Sequence, residues 1–126
     1  MTNAKSREPS SIELAILNAL LEHDFDGVGE LRKQLENIRV YPDCDCGCPT
    51  ISFDVDPSEN ASLTVYHNTL IPFEGRVQDD GGEQIDEIIL FVRNGFLSSL
   101  EYVYYREVPP SEWPPMSRIS ILRIRN

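Results

Sequence analysis

The chain has 126 residues, with 21 acidic and 11 basic side chains and a formal net charge of −10. This length suits a single domain, and the negative charge argues against binding to nucleic acid or to an anionic membrane. No run approaches the ~20 apolar residues that a membrane span needs, and the polar N-terminus lacks the apolar core of a signal peptide. A cytoplasmic location is therefore expected.

The N-terminal third is predicted to be helical. Residues 1–9 are expected to form a disordered leader, and residues 10–126 a single α+β domain. Ser10 followed by Glu13 predicts a capping box, and the apolar residues after it predict a well-buried helix. Asp26 is predicted to cap a second helix, in which apolar residues recur at steps of three and four.

After the second helix the pattern becomes that of β-strands. Alternating apolar and polar residues predict a strand over residues 50–56, and Asn94-Gly95 between two apolar runs predicts a hairpin. Strands are also expected at residues 38–41, 62–67, 73–78, 85–92, 97–105 and, as an edge, 118–125. Helices followed by strands predict an α+β fold, with two N-terminal helices packed on one face of a mostly antiparallel sheet of about five strands. An exposed C-terminal edge strand would allow a homodimer.

The negative charge is concentrated in the middle of the chain. Residues 43–87 hold eleven acidic side chains and one basic side chain. One interpretation is solubility alone, and the other is a surface that binds a basic protein partner, since complementary charge speeds association and rejects wrong partners. Small acidic proteins that neutralise toxins are an analogy of charge and size. The candidate partner-binding residues are Asp43, Asp45, Asp54, Asp56, Asp79 and Asp80.

All three cysteines lie within residues 43–50, Asp-Cys-Asp-Cys-Gly-Cys-Pro-Thr. A zinc site would use Cys44, Cys46 and Cys48, with His67 as the candidate fourth ligand. Tetrahedral geometry brings sulfurs to ~4 Å from one another, whereas alternate residues of a strand lie ~6.6 Å apart. A zinc site therefore requires the backbone to curl at Gly47.

Three other interpretations of the cysteine segment remain open. Neighbouring cysteines could form a labile disulfide, although adjacent carboxylates disfavour the reactive thiolate. A cysteine nucleophile would need a histidine base, and neither histidine has local support for that role. The cysteines could also be small buried residues that shape a turn. Because no complete catalytic constellation is present, a non-enzymatic protein is favoured, with a zinc- or thiol-dependent module as the alternative.

The chain resembles a family of short, acidic, uncharacterised actinobacterial proteins. The resemblance is carried by residues 24–27 and 30–35, by the segment Cys-Asp-Cys-Gly-Cys-Pro-Thr at 44–50, by the hairpin at 94–101 and by Trp113-Pro114. That family has Ser where this chain has the Thr of the cysteine segment. The resemblance spans roughly residues 12–115 and implies neither an activity nor catalytic residues.

Overall fold

The computed structural model describes residues 6–43, 47–55 and 69–124. The helices are α1 (Ser11–Leu20) and α2 (Val28–Gln34), and short 3₁₀ turns cover Leu35–Asn37 and Met116–Arg118. The strands are β1 (Arg39–Pro42), β2 (Ile51–Asp54), β3 (Thr69–Leu70), β4 (Phe73–Gln78), β5 (Gln84–Arg93), β6 (Phe96–Val103) and β7 (Ile119–Arg123). The predicted α+β class is confirmed, with seven strands in the described residues instead of about five. The strand predicted at 62–67 lies outside them.

The two helices begin in different ways. In α1 the Ser10 hydroxyl accepts a hydrogen bond from the Glu13 amide at 3.2 Å, and the Ser10 amide donates to the Glu13 carboxylate at 2.9 Å. The predicted capping box is therefore confirmed. The predicted Asp26 cap is wrong, because α2 begins after Gly27 in a left-handed conformation (φ 89°) with no side-chain cap. Gly27 turns the chain into the helix, and this leaves Asp26 exposed one position too early.

All strand pairs are antiparallel, and the sheet has the order β1-β2-β6-β5-β4-β7, with β3 also paired to β5. Positive φ angles at Asn94 (52°) and Gly95 (85°) form the turn between β5 and β6, which confirms the predicted hairpin. β7 lies at the end of the strand order, as predicted for an edge strand.

The core lies between the helices and one face of the sheet. Ile16, Leu17 and Leu20 of α1 are fully buried, as are Ile88 and Leu90 of β5. Because successive side chains of a strand point to opposite faces, the residues between them point away from the helices. We call that side the outer face, and its central residues are Ser52, Glu74, Glu87, Ile89, Phe91 and Glu101.

A buried glutamine fixes α2 against the β5–β6 hairpin. The Gln34 side-chain amide donates to the Gly95 carbonyl at 3.0 Å, and its oxygen accepts from the Leu97 amide at 2.8 Å. Both backbone groups would otherwise be buried without a partner, which costs ~1–3 kcal/mol each. Gln34 therefore sets the position of the helix layer relative to the two central strands.

Part of the predicted N-terminal leader belongs to the fold. The Arg7 amide and carbonyl exchange 2.8 Å hydrogen bonds with Val40 of β1. Arg39 also donates to the Ser6 carbonyl at 2.9 Å. Ser6 and Arg7, which fall inside the predicted leader of residues 1–9, thus belong to the fold and cover the outer edge of β1. No helix in the described part of the chain is long and apolar enough to cross a membrane.

Candidate functional site

The carboxylates predicted to bind a partner are spread around the sheet. Asp79 and Asp80 lie in the β4–β5 turn, and Asp43 follows β1 toward the same end of the sheet. Four strand spacings separate β1 from β4, or ~19 Å. Asp54 ends β2 near the opposite end, across from Arg39. The remaining two, Asp45 and Asp56, lie outside the described residues.

Two of these carboxylates have roles within the fold. Asp79 accepts hydrogen bonds from the amides of Gly81 (2.9 Å) and Glu83 (3.0 Å), which closes the β4–β5 turn. Asp80 forms an ion pair with Arg118 just before β7. The exposed carboxylates Asp43 and Asp54 have no ion pair with any described residue.

The outer face contributes carboxylates that the sequence analysis did not select. Glu101 of β6 lies opposite Ile89 of β5, and Glu87 of β5 lies opposite Arg76 of β4. Glu74 shares this face and accepts a 2.9 Å hydrogen bond from Arg76. The signal that could have found Glu87 is its alternation with the buried Asp86 and Ile88, which places it on the face away from the helices.

Nearly all of the arginines described are held by partners within the chain. The contacts are Arg7 with Glu13, Arg32 with Asp24, Arg39 with Ser6, Arg76 with Glu74, Arg106 with Asp86, Arg118 with Asp80, and Arg123 over the Phe73 ring. In the part of the chain that the structure describes, only Lys33 and Arg93 lack such a contact. Because five of these arginines are paired with carboxylates of the chain, few cations are left to neutralise the other exposed carboxylates.

One of these arginines binds a buried carboxylate on α1. Glu13, 2% exposed, accepts two 2.9 Å hydrogen bonds from Arg7, one of 2.9 Å from the Ser10 amide and one of 3.0 Å from the Trp113 indole. Burial acts to raise the pKa of Glu13, but the hydrogen bonds and the guanidinium charge together lower it. Glu13 thus joins the N-terminal arm, α1 and the segment before β7.

A second buried carboxylate holds the same segment from the other side. Asp86, 0% exposed, accepts 2.8 Å hydrogen bonds at Oδ2 from the Tyr102 hydroxyl and from Arg106. Its other oxygen has no partner in the described structure. Burial and the neighbouring carboxylate raise the pKa of Tyr102 to about 12. The Tyr102 ring also packs at 5.9 Å from Trp113, so both acids anchor residues 104–118, which we call the strap.

The cysteine segment is closed at its base. The Asp43 amide donates to the Thr50 carbonyl at 3.3 Å, and Gly47 has a φ of 95°. Within the segment, Cys48 is half-buried, whereas Cys44 and Cys46 lie outside the described residues. The positive φ of Gly47 thus allows the chain to turn at that position.

One of the two histidines lies within the described residues. His23 stacks on the Phe73 ring at 4.7 Å, and His67, the candidate fourth ligand, lies outside the described residues. Among the residues described, no group of three or more histidine, cysteine or acidic side chains could hold a metal ion.

An open cleft of about 640 Å³ lies on the outer face near β1, β2 and β6. Tyr41, Ser52, Ser99, Glu101 and Arg93 contribute to its lining. The Ser99 hydroxyl donates to the Glu101 carboxylate at 3.1 Å, which fixes the carboxylate beside the cleft. A polar, shallow depression of this kind can accept side chains of a protein partner.

Comparison with known proteins gives no relative. No protein-family model matches the chain, and no curated protein or solved structure matches it. The resemblance to the actinobacterial family therefore stays a prediction.

Proposed function

We propose that the chain is a non-enzymatic binding protein whose surface carboxylates engage a basic protein partner. The observation that supports this function is the internal engagement of the arginines. Seven of the arginines described contact partners within the chain. The exposed negative charge is consequently available to a partner.

The charge balance favours association with a protein over a purely solubilising role. Two arginines, Arg7 and Arg106, are bound to buried carboxylates and so contribute little to the exposed charge balance. Asp43, Asp54 and Glu83 remain exposed and without an ion pair in the described structure. A partner that places lysines or arginines over them gains a faster encounter and a fixed orientation. Neutralisation of a basic protein, as by an immunity protein, is the activity that follows.

The test uses a charge-neutral variant and a matched control. Asp43→Asn, Asp54→Asn and Glu83→Gln remove three exposed charges that have no ion pair in the described structure but keep the side-chain shape. The wild-type chain is expected to retain a basic protein at low salt and to release it at about 0.5 M salt. With that protein purified, stopped-flow kinetics should show an association rate that falls roughly tenfold between low salt and about 0.2 M salt.

The matched control has the same change of net charge at another place. Glu22→Gln, Asp24→Asn and Asp26→Asn neutralise three exposed carboxylates in the α1–α2 connection. The first triple variant should slow association several-fold more than this control. An association rate that does not depend on salt would refute the proposal. If the two triple variants slowed association equally, the sheet carboxylates would not belong to the binding surface.

A zinc- or thiol-dependent module is the second candidate, because the Asp43 amide bonds the Thr50 carbonyl across the base of the cysteine segment and Gly47 has a positive φ. It predicts about one zinc per chain in freshly purified protein, lost in the Cys48→Ser variant. The thiol version predicts an intact mass lower than that of the reduced chain by two hydrogens. Elemental analysis without metal, together with a fully reduced mass, would exclude both versions.

A further inference from the structure

Strand β5 is apolar on both faces of the sheet. Ile88, Leu90 and Val92 are buried against the helices. Ile89 and Phe91 lie between them on the outer face, and both are half-buried. Neither belongs to the core cluster nor packs against it among the residues described. An antiparallel sheet with one solvated face usually has polar residues on that face. The composition of β5 is that of a strand covered on both sides.

The apolar residues of the outer face form a patch in its centre. Phe91 lies opposite Leu70 of β3, and Ile89 lies two residues before Phe91 on the same strand. Leu122 of β7 is 42% exposed on the same face, but Glu74 of β4 lies between it and β5. The apolar patch therefore spans β5 and β3.

Carboxylates surround this patch. Glu101 is the cross-strand partner of Ile89, and Glu87 precedes Ile89 by two residues on the same strand. The nearby cation Arg76 is held by Glu74 at 2.9 Å. In the described structure, Glu87 and Glu101 have no ion pair, so the rim of the patch is negative.

An apolar centre with a charged rim is the usual anatomy of a protein interface. Here the rim has three carboxylates, Glu74, Glu87 and Glu101, against one arginine, Arg76, so its net charge is negative. Complementarity therefore requires a positive charge on the partner. An occupant must present apolar side chains to Ile89 and Phe91 and cationic side chains to Glu87 and Glu101. Neither a purely polar basic surface nor an acidic apolar segment meets both conditions.

We infer that the outer face is the docking surface for a basic amphipathic segment of the partner protein, with its apolar side chains over Ile89 and Phe91 and its lysines or arginines beside Glu87 and Glu101. This inference rests on the proposed function and assigns the surface that the partner contacts. The apolar centre provides affinity through burial, and the carboxylates fix the direction of the segment.

The test compares two synthetic peptides that carry the same number of lysines. One is a leucine–lysine helix of about five turns with separate apolar and basic faces, and in the other every leucine is replaced by serine. Isothermal titration calorimetry with the full chain at low salt should show that the leucine–lysine peptide binds at least about tenfold more tightly.

Variants of the patch distinguish docking at the outer face from nonspecific binding of the peptide. Ile89→Ser and Phe91→Ser together should reduce the affinity for the leucine–lysine peptide to that of the serine–lysine peptide. Val108→Ser is the matched control, because Val108 is apolar and 75% exposed but lies on the strap. This control should leave both affinities unchanged.

The outcomes separate the inference from the function on which it rests. Equal, salt-dependent binding of the two peptides would overturn the docking surface and leave the binding of basic proteins standing. No binding of either peptide at low salt would contradict both. If Phe91→Ser lowered the urea midpoint of the isolated chain as far as Leu90→Ala, the outer face would be covered within the chain. The docking surface would then be refuted.

Discussion

Replacing Glu13 by glutamine is expected to lower the free energy of unfolding by about 3 kcal/mol. The carboxylate accepts four hydrogen bonds, two of them from Arg7. Glutamine offers one acceptor oxygen, and its amide group would face the donors of Arg7 or Trp113. The loss lies at the low end for a buried ion pair because the Arg7 side chain is 46% exposed. Urea denaturation at neutral pH measures this loss of unfolding free energy.

The exposed Glu22 near the end of the same helix provides the control. Glu22 is exposed, so Glu22→Gln should change the free energy of unfolding by less than about 0.5 kcal/mol. If both variants unfolded at the same urea concentration, the contacts of Glu13 would not stabilise the fold as proposed.

The stabilisation by Glu13 should also depend on pH. Because the pKa of Glu13 is lowered in the folded protein, the unfolded chain binds a proton more readily. The stabilisation is therefore complete above the unfolded value of ~4.3 and is lost as the pH falls through the lowered, folded value. Urea midpoints of wild type and Glu13→Gln should begin to converge as the pH falls below about 4.3. A difference that stayed constant down to pH 3 would contradict this account.

Local sequence signals predicted the start of α1 but not what Glu13 does there. Ser10 and Glu13 are three residues apart, and a capping box can be recognised at that spacing. The indole of Trp113, 100 positions further along the chain, also donates to Glu13. No local pattern indicates such a contact, since it depends on how the strap crosses α1. The sequence therefore predicted a cap where the structure has a junction of three segments.

A single bulge in β6 explains why the outer face could not be predicted. Next to the turn Leu97 pairs with Val92, but Ser99 pairs with Phe91, so Ser98 has no partner in the register. An extra residue in one strand reverses which side chains face the core beyond it. Continuing the register from Asn94-Gly95 without the bulge would place Glu101 on the buried face. The bulge instead turns Glu101 outward, beside Ile89.

The partners of Asp86, on the face toward the helices, could not be predicted from the sequence for the same reason. Alternation along β5 places this carboxylate among buried side chains, where a charge needs a partner. Its partners Tyr102 and Arg106 come from β6 and the strap. They can be identified only once the register of β6 is known, because the bulge decides that Tyr102 faces inward. The hairpin followed from local pattern, whereas the partners of the two buried acids did not.

A double-mutant cycle at the ion pair of Asp86 and Arg106 is expected to show that a second substitution restores stability. Arg106→Ala is expected to cost about 2 kcal/mol, because it leaves the fully buried Asp86 charge with the Tyr102 hydroxyl as its one remaining donor among the residues described. The cost is below that of a fully buried pair because the Arg106 side chain is 45% exposed and water can partly replace it. Urea denaturation of the single variants, the double variant and wild type measures the cycle.

Adding Asp86→Asn to Arg106→Ala should restore at least half of that loss. The amide removes the uncompensated charge, and its oxygen can still accept the hydrogen bond from Tyr102. In the wild-type background the same Asp86→Asn change removes a charge-assisted bond to Arg106 and should cost about 1 kcal/mol. The change in unfolding free energy caused by Asp86→Asn is thus expected to have opposite signs with arginine and with alanine at position 106. Such a reversal indicates direct coupling between the two residues. Additive effects would show that the Asp86 charge is not what holds Arg106, and the strap would then depend on its contacts with Glu13 and Tyr102.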